Sequence, residues 1–383
     1  MHRAQQRGVL KPAGEPFRDL SDAWAEQEKQ FARAFATLRE AIGRHAFPGA
    51  ALAVTHNGAL IACAGSGRFT YDKLSPAVEA DTIYDLASLT KVLVTTPLAM
   101  LLYERGQLRL DEPVAETLPE FVSLAPAEQQ GWRWAVTIRM LLAHSSGLPA
   151  YEKLFQRATS REELLRTAMA TPLRAAPGAR ADYSDIGFIL LGELLARKAG
   201  RSLDNWAQAE IVLPLGMMRT IFNPIPELRP QIPPTEDDVT FRGRVIQGEV
   251  NDENAFVMGG VAGHAGLFAP VTDIARFAEC MLCGGAPIFR EDTVKLFTRR
   301  ERTPAGTTRA LGWDTPSRPD SSSGRFFSPE SFGHLGFTGT SLWIDPERRL
   351  SVTLLTNRTW PDRACQDIRE IRPQVHDAIV EAL

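Results

Sequence analysis

The pattern of hydrophobic positions predicts a helix near the start of the chain, followed by a β-hairpin. From Ser21 onward, apolar residues recur every three or four positions, and this period predicts a helix that ends before Pro48. Its apolar positions are Trp24, Phe31, Phe35, Leu38 and Ile42. Two apolar runs, 50–55 and 59–64, then flank Asn57-Gly58. Because both central residues of a tight hairpin turn need positive φ, Asn-Gly between two such runs indicates a pair of antiparallel strands.

The rest of the chain has a helical middle and further strand-like segments near its end. A short strand-like run before Ser88 leads into a helical pattern that extends to about Arg105. Residues 92–257 are mostly helical stretches joined by proline-containing loops. A helix follows at 273–283, then two strand-like runs at 339–344 and 350–356, and the C-terminus returns to helix from about position 362.

Strands near both ends of the chain with helices between them predict an α+β fold. We expect one antiparallel sheet assembled from both termini and flanked by helices, with a mostly helical lobe inserted. The predicted division places residues 21–91 and 258–383 in the lobe that holds the sheet and residues 92–257 in the helical lobe, as one domain overall. Residues 1–20 are predicted to form a flexible arm.

Composition and charge indicate an ordinary globular protein. Of its 383 residues, 44% are hydrophobic, and 43 basic against 46 acidic residues give a net charge of −3. We therefore expect no nucleic-acid partner. No apolar run reaches the ~20 residues of a membrane span, and no secretory signal is visible. The chain as written is expected in the cytoplasm, or in the periplasm or exported if a leader was removed, and its oligomeric state is left open.

The cysteines predict neither a disulfide scaffold nor a metal site. Cys280 and Cys283 form a C-x-x-C, but their segment has helical apolar spacing and no second Cys/His pair lies nearby, so we interpret them as two thiols on one helix. The chain also lacks H-E-x-x-H, G-x-x-x-x-G-K and G-x-S-x-G. The chain therefore lacks the motifs that usually identify zinc peptidases, P-loop enzymes and typical α/β-hydrolases.

Ser88 and Lys91 form the only S-x-x-K of the chain. At a strand-to-helix junction, residues i and i+3 share one face with Cβ atoms about 5–6 Å apart. A lysine that is desolvated enough to be neutral can then take the proton of the serine hydroxyl. The alternative is structural, because serine at a helix start is usually an N-cap and a lysine three residues later is usually solvated.

Four motifs in order resemble those of the penicillin-recognising serine hydrolase superfamily. They are Asp81-Thr-Ile-Tyr-Asp-Leu-Ala-Ser-Leu-Thr-Lys91, Leu-Leu-Ala-His-Ser-Ser-Gly-Leu-Pro at 141–149, Tyr183-Ser184-Asp185, and Gly333-His-Leu-Gly-Phe-Thr-Gly339. A glycine-rich loop at 252–268 adds to the resemblance, which covers nearly everything after residue 30. The closest branch holds class C β-lactamases, esterases of the β-lactamase fold, D-aminopeptidases and D,D-carboxypeptidases. The resemblance implies a β-lactamase/transpeptidase-like fold.

The resemblance also implies a nucleophile and a proton relay. Ser88 would be the residue that becomes acylated, and Lys91 would be its proton acceptor or the group that tunes that acceptor. Tyr183 would pass a proton to the leaving group and activate the deacylating water.

A sheet-edge strand would complete the site. His334 would match the third motif and join the catalytic set, with Leu335 and Gly336 beside the substrate. The backbone N–H groups of Ser88 and Phe337 would form the oxyanion hole.

Two positions depart from the usual pattern of the family. The second motif is usually Tyr-x-Asn, and here Asp185 stands at the substrate-binding amide position, where its charge would favour a protonated Lys91. The third motif has His334 where many β-lactamases have lysine, and a neutral imidazole is a poorer anchor for a substrate carboxylate. Reading Ser184-Asp185-Ile186 as an altered S-D-N motif would leave isoleucine at the amide position, so we prefer the tyrosine alignment.

Three other residues are weighed separately. His144 and His264 lie in loops typical of the family and are predicted to be structural. Trp313 is retained as a candidate substrate contact, although it is as well placed to fill the core.

The sequence thus predicts a serine hydrolase that forms an acyl-enzyme on Ser88, with no metal or cofactor, and that takes a small-molecule acyl substrate. We favour an esterase or amidase. The alternative is a β-lactamase, D,D-peptidase or D-aminopeptidase on cell-wall-type substrates. A non-catalytic penicillin-binding-like module is the alternative from another class, and it would be expected to lack the nucleophile or the tyrosine.

Overall fold

The structure, a computed structural model, describes residues 19–383. Its strands are β1 (Ser21–Asp22), β2 (Gly49–His56), β3 (Ala59–Gly67), β4 (Tyr84–Asp85), β5 (Ile221–Phe222), β6 (Glu236–Asp238), β7 (Arg244–Ile246), β8 (Leu267–Ala269), β9 (Phe332–Leu335), β10 (Ser341–Asp345) and β11 (Leu350–Thr356). The arm predicted over 1–20 lies outside the described residues except for its last two positions.

The helices divide into regular α-helices and shorter turns. The α-helices are α1 (Gln27–Gln30), α2 (Ala32–Gly43), α3 (Thr96–Glu104), α4 (Glu120–Ser123), α5 (Gln130–Trp134), α6 (Ile138–Leu142), α7 (Arg161–Ala170), α8 (Asp185–Ala199), α9 (Leu203–Ala207), α10 (Glu253–Val257), α11 (Val271–Leu282), α12 (Glu291–Thr298) and α13 (Ile368–Glu381). Single 3₁₀ turns lie at Ala87–Leu89, Val114–Glu116, Ala127–Gln129, Leu154–Gln156 and Arg229–Gln231, and wider π turns at Lys91–Thr95 and Gln208–Val212.

A six-stranded sheet with the order β1-β3-β2-β11-β10-β9 joins both ends of the chain. Its neighbours pair antiparallel except for β1, which pairs in parallel with β3. The sheet is therefore mixed, whereas the sequence predicted an antiparallel one. Parallel pairing needs a long crossover, and α1, α2 and β2 supply it. The first helical pattern starts later than predicted for the same reason, because Ser21 and Asp22 pair with Ala59 and Leu60.

The hairpin predicted at Asn57-Gly58 is present. Asn57 and Gly58 have φ of 52° and 81°, the left-handed region that a tight hairpin turn requires. Side chains then alternate between two cores along β2, as a strand dictates. Leu52 and Val54 face one cluster, and Ala51 and Ala53 face the other.

Helices cover both faces of the sheet. The core that holds Leu52 also contains Phe35 of α2 and Val375 of α13, and the opposite core contains Ile274 and Phe277 of α11. The α+β class predicted from the sequence is thus confirmed, with a helix-flanked sheet built from both termini.

Helices make up most of the regular structure in the segment 92–257, as its pattern indicated, but the segment also holds strands that the sequence did not predict. β5 joins β4 and β8 in a small three-stranded sheet, and β6 pairs with β7. These strands are two or three residues long, too short to leave a period in the sequence. The division into two lobes at 91/92 and 257/258 stays a prediction.

Across residues 19–383, every helix is too short or too polar to cross a membrane.

Candidate active site

Ser88 lies on the turn between β4 and the helical segment that continues into α3. Its neighbour Ala87 has φ of +46°, an uncommon conformation for a residue with a side chain. Asp85 holds this turn, because its Oδ1 accepts a hydrogen bond of 2.8 Å from the Ala87 N–H. Thr90 donates through Oγ1 to the Ala87 carbonyl at 2.7 Å. The result is a fixed turn that leaves Ser88 partly exposed between buried neighbours.

The Ser88 hydroxyl meets two proton-transfer groups. Lys91 Nζ and Tyr183 Oη each lie 2.8 Å from Ser88 Oγ. The alternative of a helix-capping serine followed by a solvated lysine does not hold, since Ser88 Oγ caps no helix and the Lys91 side chain is 0% exposed. Both groups are therefore in direct reach of the proton that a nucleophilic serine must lose.

Lys91 is buried in a polar nest. Its Nζ donates to the His264 carbonyl at 3.0 Å and lies 2.7 Å from Asp185 Oδ1. The aromatic rings of Tyr183 and Phe188 lie 5.0 and 5.6 Å from it. Burial lowers the pKa of Lys91 below its usual range, while the carboxylate of Asp185 opposes that shift. The pKa of Lys91 thus reflects a balance in which desolvation is opposed first by Asp185 and then by Asp252.

The start of α8 positions Tyr183 and Asp185. Ser184 is the N-cap, and its Oγ accepts from the Gly187 N–H at 3.0 Å. The Ser184 N–H in turn donates to His144 Nδ1 at 3.0 Å. This arrangement uses Ser184 for the helix start and turns Tyr183 toward Ser88, which agrees with the tyrosine alignment. Burial and the nearby Asp185 raise the pKa of Tyr183 well above its usual range.

His334 lies on β9 and is buried. Its Nδ1 is 2.8 Å from the Leu335 carbonyl, which accepts a hydrogen bond from the protonated nitrogen. Burial, together with the cations Lys91 and Arg309, holds the pKa of His334 well below its usual range. The imidazole is therefore neutral near pH 7, and its ring lies 5.9 Å from that of Tyr183.

The turn after β9 is attached to the segment that precedes Ser88. Thr338 Oγ1 donates to the Asp85 carbonyl at 2.8 Å, and Thr340 Oγ1 donates to the Leu86 carbonyl at 3.0 Å. Gly336 is required here, because a Cβ would lie 1.9 Å from Thr340 Oγ1 and 2.5 Å from the Leu86 carbonyl oxygen. Phe337 follows on this turn with 47% of its surface exposed.

Arg358 supports the same turn from behind. Its Nε donates to the Phe337 carbonyl at 2.9 Å, and its guanidinium lies 4.6 Å from the Phe337 ring. Arg358 is only 5% exposed. The residue that would supply the second oxyanion donor is thus held through its own carbonyl by a buried cation.

Two of the predicted substrate contacts lie elsewhere. Trp313 is 1% exposed and packs in the core with its ring 5.0 Å from Phe332 and 6.4 Å from Phe277. It fills the core because α11 and β9 close over it, so its assignment as a substrate contact is corrected. Leu335 lines a groove beside α13 that none of Ser88, Lys91, Tyr183 and His334 lines. On a strand, neighbouring side chains point to opposite faces, so Leu335 turns away where His334 turns inward.

His144 and His264 have structural contacts, as predicted. His144 accepts from Ser184 and packs 4.7 Å from the Tyr183 ring. His264 Nε2 lies 2.9 Å from Asp252 Oδ1. Burial works to raise the pKa of Asp252, but His264 and the Ala255 N–H outweigh it and lower that pKa. Cys280 lies in the last turn of α11, and Cys283 follows as its C-cap residue.

Arg309 is a site residue that the sequence analysis missed. Its guanidinium lies 5.5 Å from the centre of the Tyr183 ring and forms an ion pair with Asp314. No spacing links Arg309 to Tyr183, because the two lie far apart along the chain. A positive charge beside a phenol favours the phenolate, so Arg309 partly offsets the effect of Asp185 on Tyr183.

Taken together, the geometry suits nucleophilic attack by Ser88 with proton transfer through Lys91 and Tyr183. An oxygen nucleophile, a buried amine and a phenol within one hydrogen-bonded cluster can pass a single proton between attack and departure of the leaving group.

Comparison with known proteins identifies the family. A family profile described as Beta-lactamase matches residues 31–376. A protein of Escherichia coli K12, provisionally named D-alanyl-D-alanine carboxypeptidase, is 35% identical over 303 residues, which cover 72% of this chain and 69% of that protein. A Salmonella agona protein with the same provisional name is 34% identical over 307 residues, 73% of this chain and 70% of its own length.

Solved structures share the fold at lower sequence identity. EstCE1, described as a hydrolase with promiscuous acyltransferase activity, superposes with a TM-score of 0.76 at 22% identity and covers 93% of this chain and 100% of its own. The octameric penicillin-binding protein homologue of Pyrococcus abyssi superposes with a TM-score of 0.68 at 22% identity, over 85% of this chain and 73% of its own. The chain belongs to the Beta-lactamase family, within the penicillin-recognising serine hydrolase superfamily.

Proposed function

We propose that this chain hydrolyses small neutral esters or amides through an acyl-enzyme on Ser88. The observation that carries the proposal is the position of Ser88 Oγ, 2.8 Å from both Lys91 Nζ and Tyr183 Oη. A hydroxyl bonded to two such groups can lose its proton as it attacks, which is the requirement for a serine nucleophile.

The proposed reaction has two halves. In acylation, Ser88 Oγ bonds to the carbonyl carbon, and its proton passes to Lys91. The tetrahedral intermediate collapses when the bond to the leaving group breaks, Tyr183 gives its hydroxyl proton to that group, and the proton held by Lys91 returns to the Tyr183 oxygen. In deacylation, the same relay takes a proton from water as the water oxygen bonds to the acyl carbon, the bond from that carbon to Ser88 Oγ breaks, and the proton returns to Oγ.

The oxyanion of both intermediates would be held by the N–H groups of Ser88 and Phe337. The bonds from Thr338 and Thr340 to the 85–86 backbone, and from Arg358 to the Phe337 carbonyl, support this assignment, since they fix one turn against the other. Removal of one oxyanion donor typically costs about 10²–10³ in kcat.

A preference for neutral substrates rests on the two departures from the family pattern. Asp185 is acidic where an amide is usual, and its carboxylate is partly exposed beside Lys91. His334 is neutral where lysine is common. A substrate carboxylate would therefore meet one like charge and no compensating cation at these two positions, whereas an uncharged ester needs neither contact.

Hydrolysis of a peptide that ends in D-alanyl-D-alanine is the second candidate. It is supported by the provisional names of the relatives that are 34–35% identical. Arg309 also supports it, because its guanidinium lies beside Tyr183 and is a cation that carboxylates favour. Its ion pair with Asp314 works against this role.

A labelling experiment separates enzyme from binding module. A fluorophosphonate probe should modify the native protein and leave Ser88→Ala unlabelled, while circular dichroism shows both proteins folded. Labelling of the folded Ser88→Ala protein at another serine would show that the nucleophile is misassigned.

A substrate panel then separates the two candidate activities. We expect measurable kcat/KM for a series of p-nitrophenyl acyl esters and little turnover of nitrocefin or of an N-acylated D-Ala-D-Ala peptide. Turnover of the peptide above that of every ester would select the second candidate, and Arg309→Gln should then lower kcat/KM for the peptide more than for p-nitrophenyl acetate.

A further inference from the structure

His144 is a buried side chain in a rare backbone conformation close to the reacting groups. It is the second residue after α6 and is 3% exposed. Its φ is +55°, in the left-handed region that residues with a side chain seldom adopt. The proposed reaction uses Ser88, Lys91 and Tyr183 and gives His144 no part.

One hydrogen bond fixes the tautomer of His144. Its Nδ1 lies 3.0 Å from the backbone N of Ser184. A backbone N–H can only donate, so Nδ1 accepts and the proton of the neutral ring lies on Nε2. Burial, together with the cations Arg309 and Lys91, holds the pKa of His144 well below its usual range. The imidazole is therefore neutral near pH 7 and stays an acceptor for Ser184.

Two features of His144 lower the stability of the fold. Its Nε2 is buried and has no hydrogen-bond partner among residues 19–383. A buried N–H without an acceptor is unfavourable, and so is a positive φ in a residue with a side chain. A glycine at this position would avoid both. Strain of this kind collects where a site needs one particular arrangement, so we looked for what the imidazole holds in place.

His144 holds Tyr183 at two points. The N–H that it accepts belongs to the peptide joining Tyr183 to Ser184. Its ring also packs 4.7 Å from the Tyr183 ring. Because Tyr183 Oη lies only 2.8 Å from Ser88 Oγ, a rotation of that peptide would move the phenol away from the nucleophile.

Other bonds hold the start of α8. Ser184 Oγ donates to the Pro149 carbonyl at 2.7 Å, and the Asp185 N–H donates to the Ala150 carbonyl at 2.9 Å. Both bonds lie on the helix side of the peptide that joins Tyr183 to Ser184. Loss of the imidazole acceptor should therefore leave α8 in place and release mainly Tyr183.

We propose that His144 is a positioning residue, whose Nδ1 holds Tyr183 where the phenol can protonate the leaving group. This inference rests on the proposed function, in which Tyr183 gives its hydroxyl proton to the leaving group as the bond to the acyl carbon breaks. A leaving group that needs this proton should then depend on His144 more than one that departs as a stable anion.

The test compares p-nitrophenyl acetate with ethyl acetate. Both esters form the same acetyl-enzyme, and kcat/KM covers only the steps through acylation. The p-nitrophenolate ion leaves without a proton, whereas ethoxide has to be protonated. In His144→Leu, which fills the space but cannot accept a hydrogen bond, the ratio of kcat/KM for p-nitrophenyl acetate to that for ethyl acetate should rise at least about tenfold. A smaller folded fraction lowers both values equally and leaves the ratio unchanged.

A conservative variant should restore the ratio. In His144→Asn, the amide oxygen can take the place of Nδ1, and asparagine tolerates positive φ better than most residues. We expect its ratio within about threefold of the native value. If His144→Leu does not fold, His144→Gly replaces it, because glycine adopts positive φ without strain and also lacks the acceptor.

His45→Leu is the matched control. His45 has φ of +63°, and its ring stacks 4.4 Å from that of Tyr71, but it is exposed and lies between α2 and β2. The substitution thus adds the same backbone strain beside another tyrosine, and the ester ratio should stay native.

The outcomes separate the inference from the function on which it rests. A native ratio in folded His144→Leu or His144→Gly would overturn the role of His144 alone, and so would a ratio in His144→Asn as high as that of His144→Leu. Absence of Ser88-dependent hydrolysis of both esters by the native protein would overturn the proposed function and this inference with it.

Discussion

Replacement of Asp185 by asparagine tests the charge balance at Lys91 directly. The change keeps the size of the side chain and restores the residue usual in the family, but it removes the carboxylate that lies 2.7 Å from Lys91 Nζ. Burial already lowers the pKa of Lys91, and Asp185 makes the largest contribution that raises it. Without it, Lys91 should lose its proton at lower pH, so the acid limb of the pH profile for acylation should move down.

The size of the effect follows from the distance. Two unit charges 2.7 Å apart attract by about 1.5 kcal/mol at the dielectric constant of water and by about 6 kcal/mol at an effective value near 20. Since about 1.4 kcal/mol corresponds to one pH unit, the midpoint of the limb should fall by at least about 1 and by no more than about 4. Asp185 is partly exposed, with 16% of its side chain accessible, so the lower part of this range is expected.

The assay measures the second-order rate constant for fluorophosphonate labelling of Ser88 from about pH 4 to about pH 10. This rate constant reports acylation without deacylation. Asp182→Asn is the matched control. It removes the same charge one residue before Tyr183, but from a carboxylate that pairs with Arg180. Its profile should match that of the native protein. If the acid limb of Asp185→Asn stays in place or moves up, then Asp185 does not set the protonation of Lys91 and the argument fails.

Three further predictions concern the relay, the specificity and the acid stability. Lys91→Ala and Tyr183→Phe should each lower kcat for p-nitrophenyl acetate by at least about 10², and near-native turnover in Tyr183→Phe would exclude the phenol from the relay. Asp185→Asn combined with His334→Lys should raise kcat/KM for nitrocefin relative to p-nitrophenyl acetate by about tenfold or more, because it exchanges a repulsive charge for an attractive one, and an unchanged ratio would reject the charge argument. Burial lowers the pKa of His376 to about 3 in the folded chain, whereas the usual value in an unfolded chain is about 6.5. Between these two values the unfolded chain binds a proton at this residue and the folded chain does not. The free energy of unfolding should therefore fall by about 2 kcal/mol between pH 7 and 5 from this residue, and His376→Gln, followed by urea denaturation, should lose that much less over the same interval.

The parts of the fold and the site that depend on local spacing could be predicted from the sequence. Ser88 lies in a 3₁₀ turn and Lys91 begins the π turn that follows, so the two are about one helical turn apart and their contact follows from that spacing. The hairpin at Asn57-Gly58 follows in the same way from the need for positive φ. Tyr183 is different, because its bond to Ser88 spans 95 residues and only the resemblance to a family connected the two.

The errors arose where packing rather than period decides. By residue type, a tryptophan suits a substrate cleft and a hydrophobic core equally well. The packing of Phe277 and Phe332 against Trp313 places it in the core. Arg309 left no signal, since its place beside Tyr183 depends on a loop that pairs Asp314 with Gly333 at the sheet edge. The parallel strand β1 was missed because two residues are too few to show alternation.

The charges of the site form pairs, and this pairing bears on what the site can recognise. Lys91 forms an ion pair with Asp185, and Arg309 forms one with Asp314. An anionic substrate would have to compete with an acid already in contact for each of these cations, and displacing one partner of a buried pair leaves the other uncompensated. An uncharged acyl group would disturb none of these pairs, which is why we propose neutral substrates. The same reasoning explains why the double change at Asp185 and His334 should matter more than either alone, since the first removes the carboxylate that would repel a substrate carboxylate and the second adds a cation that would attract it.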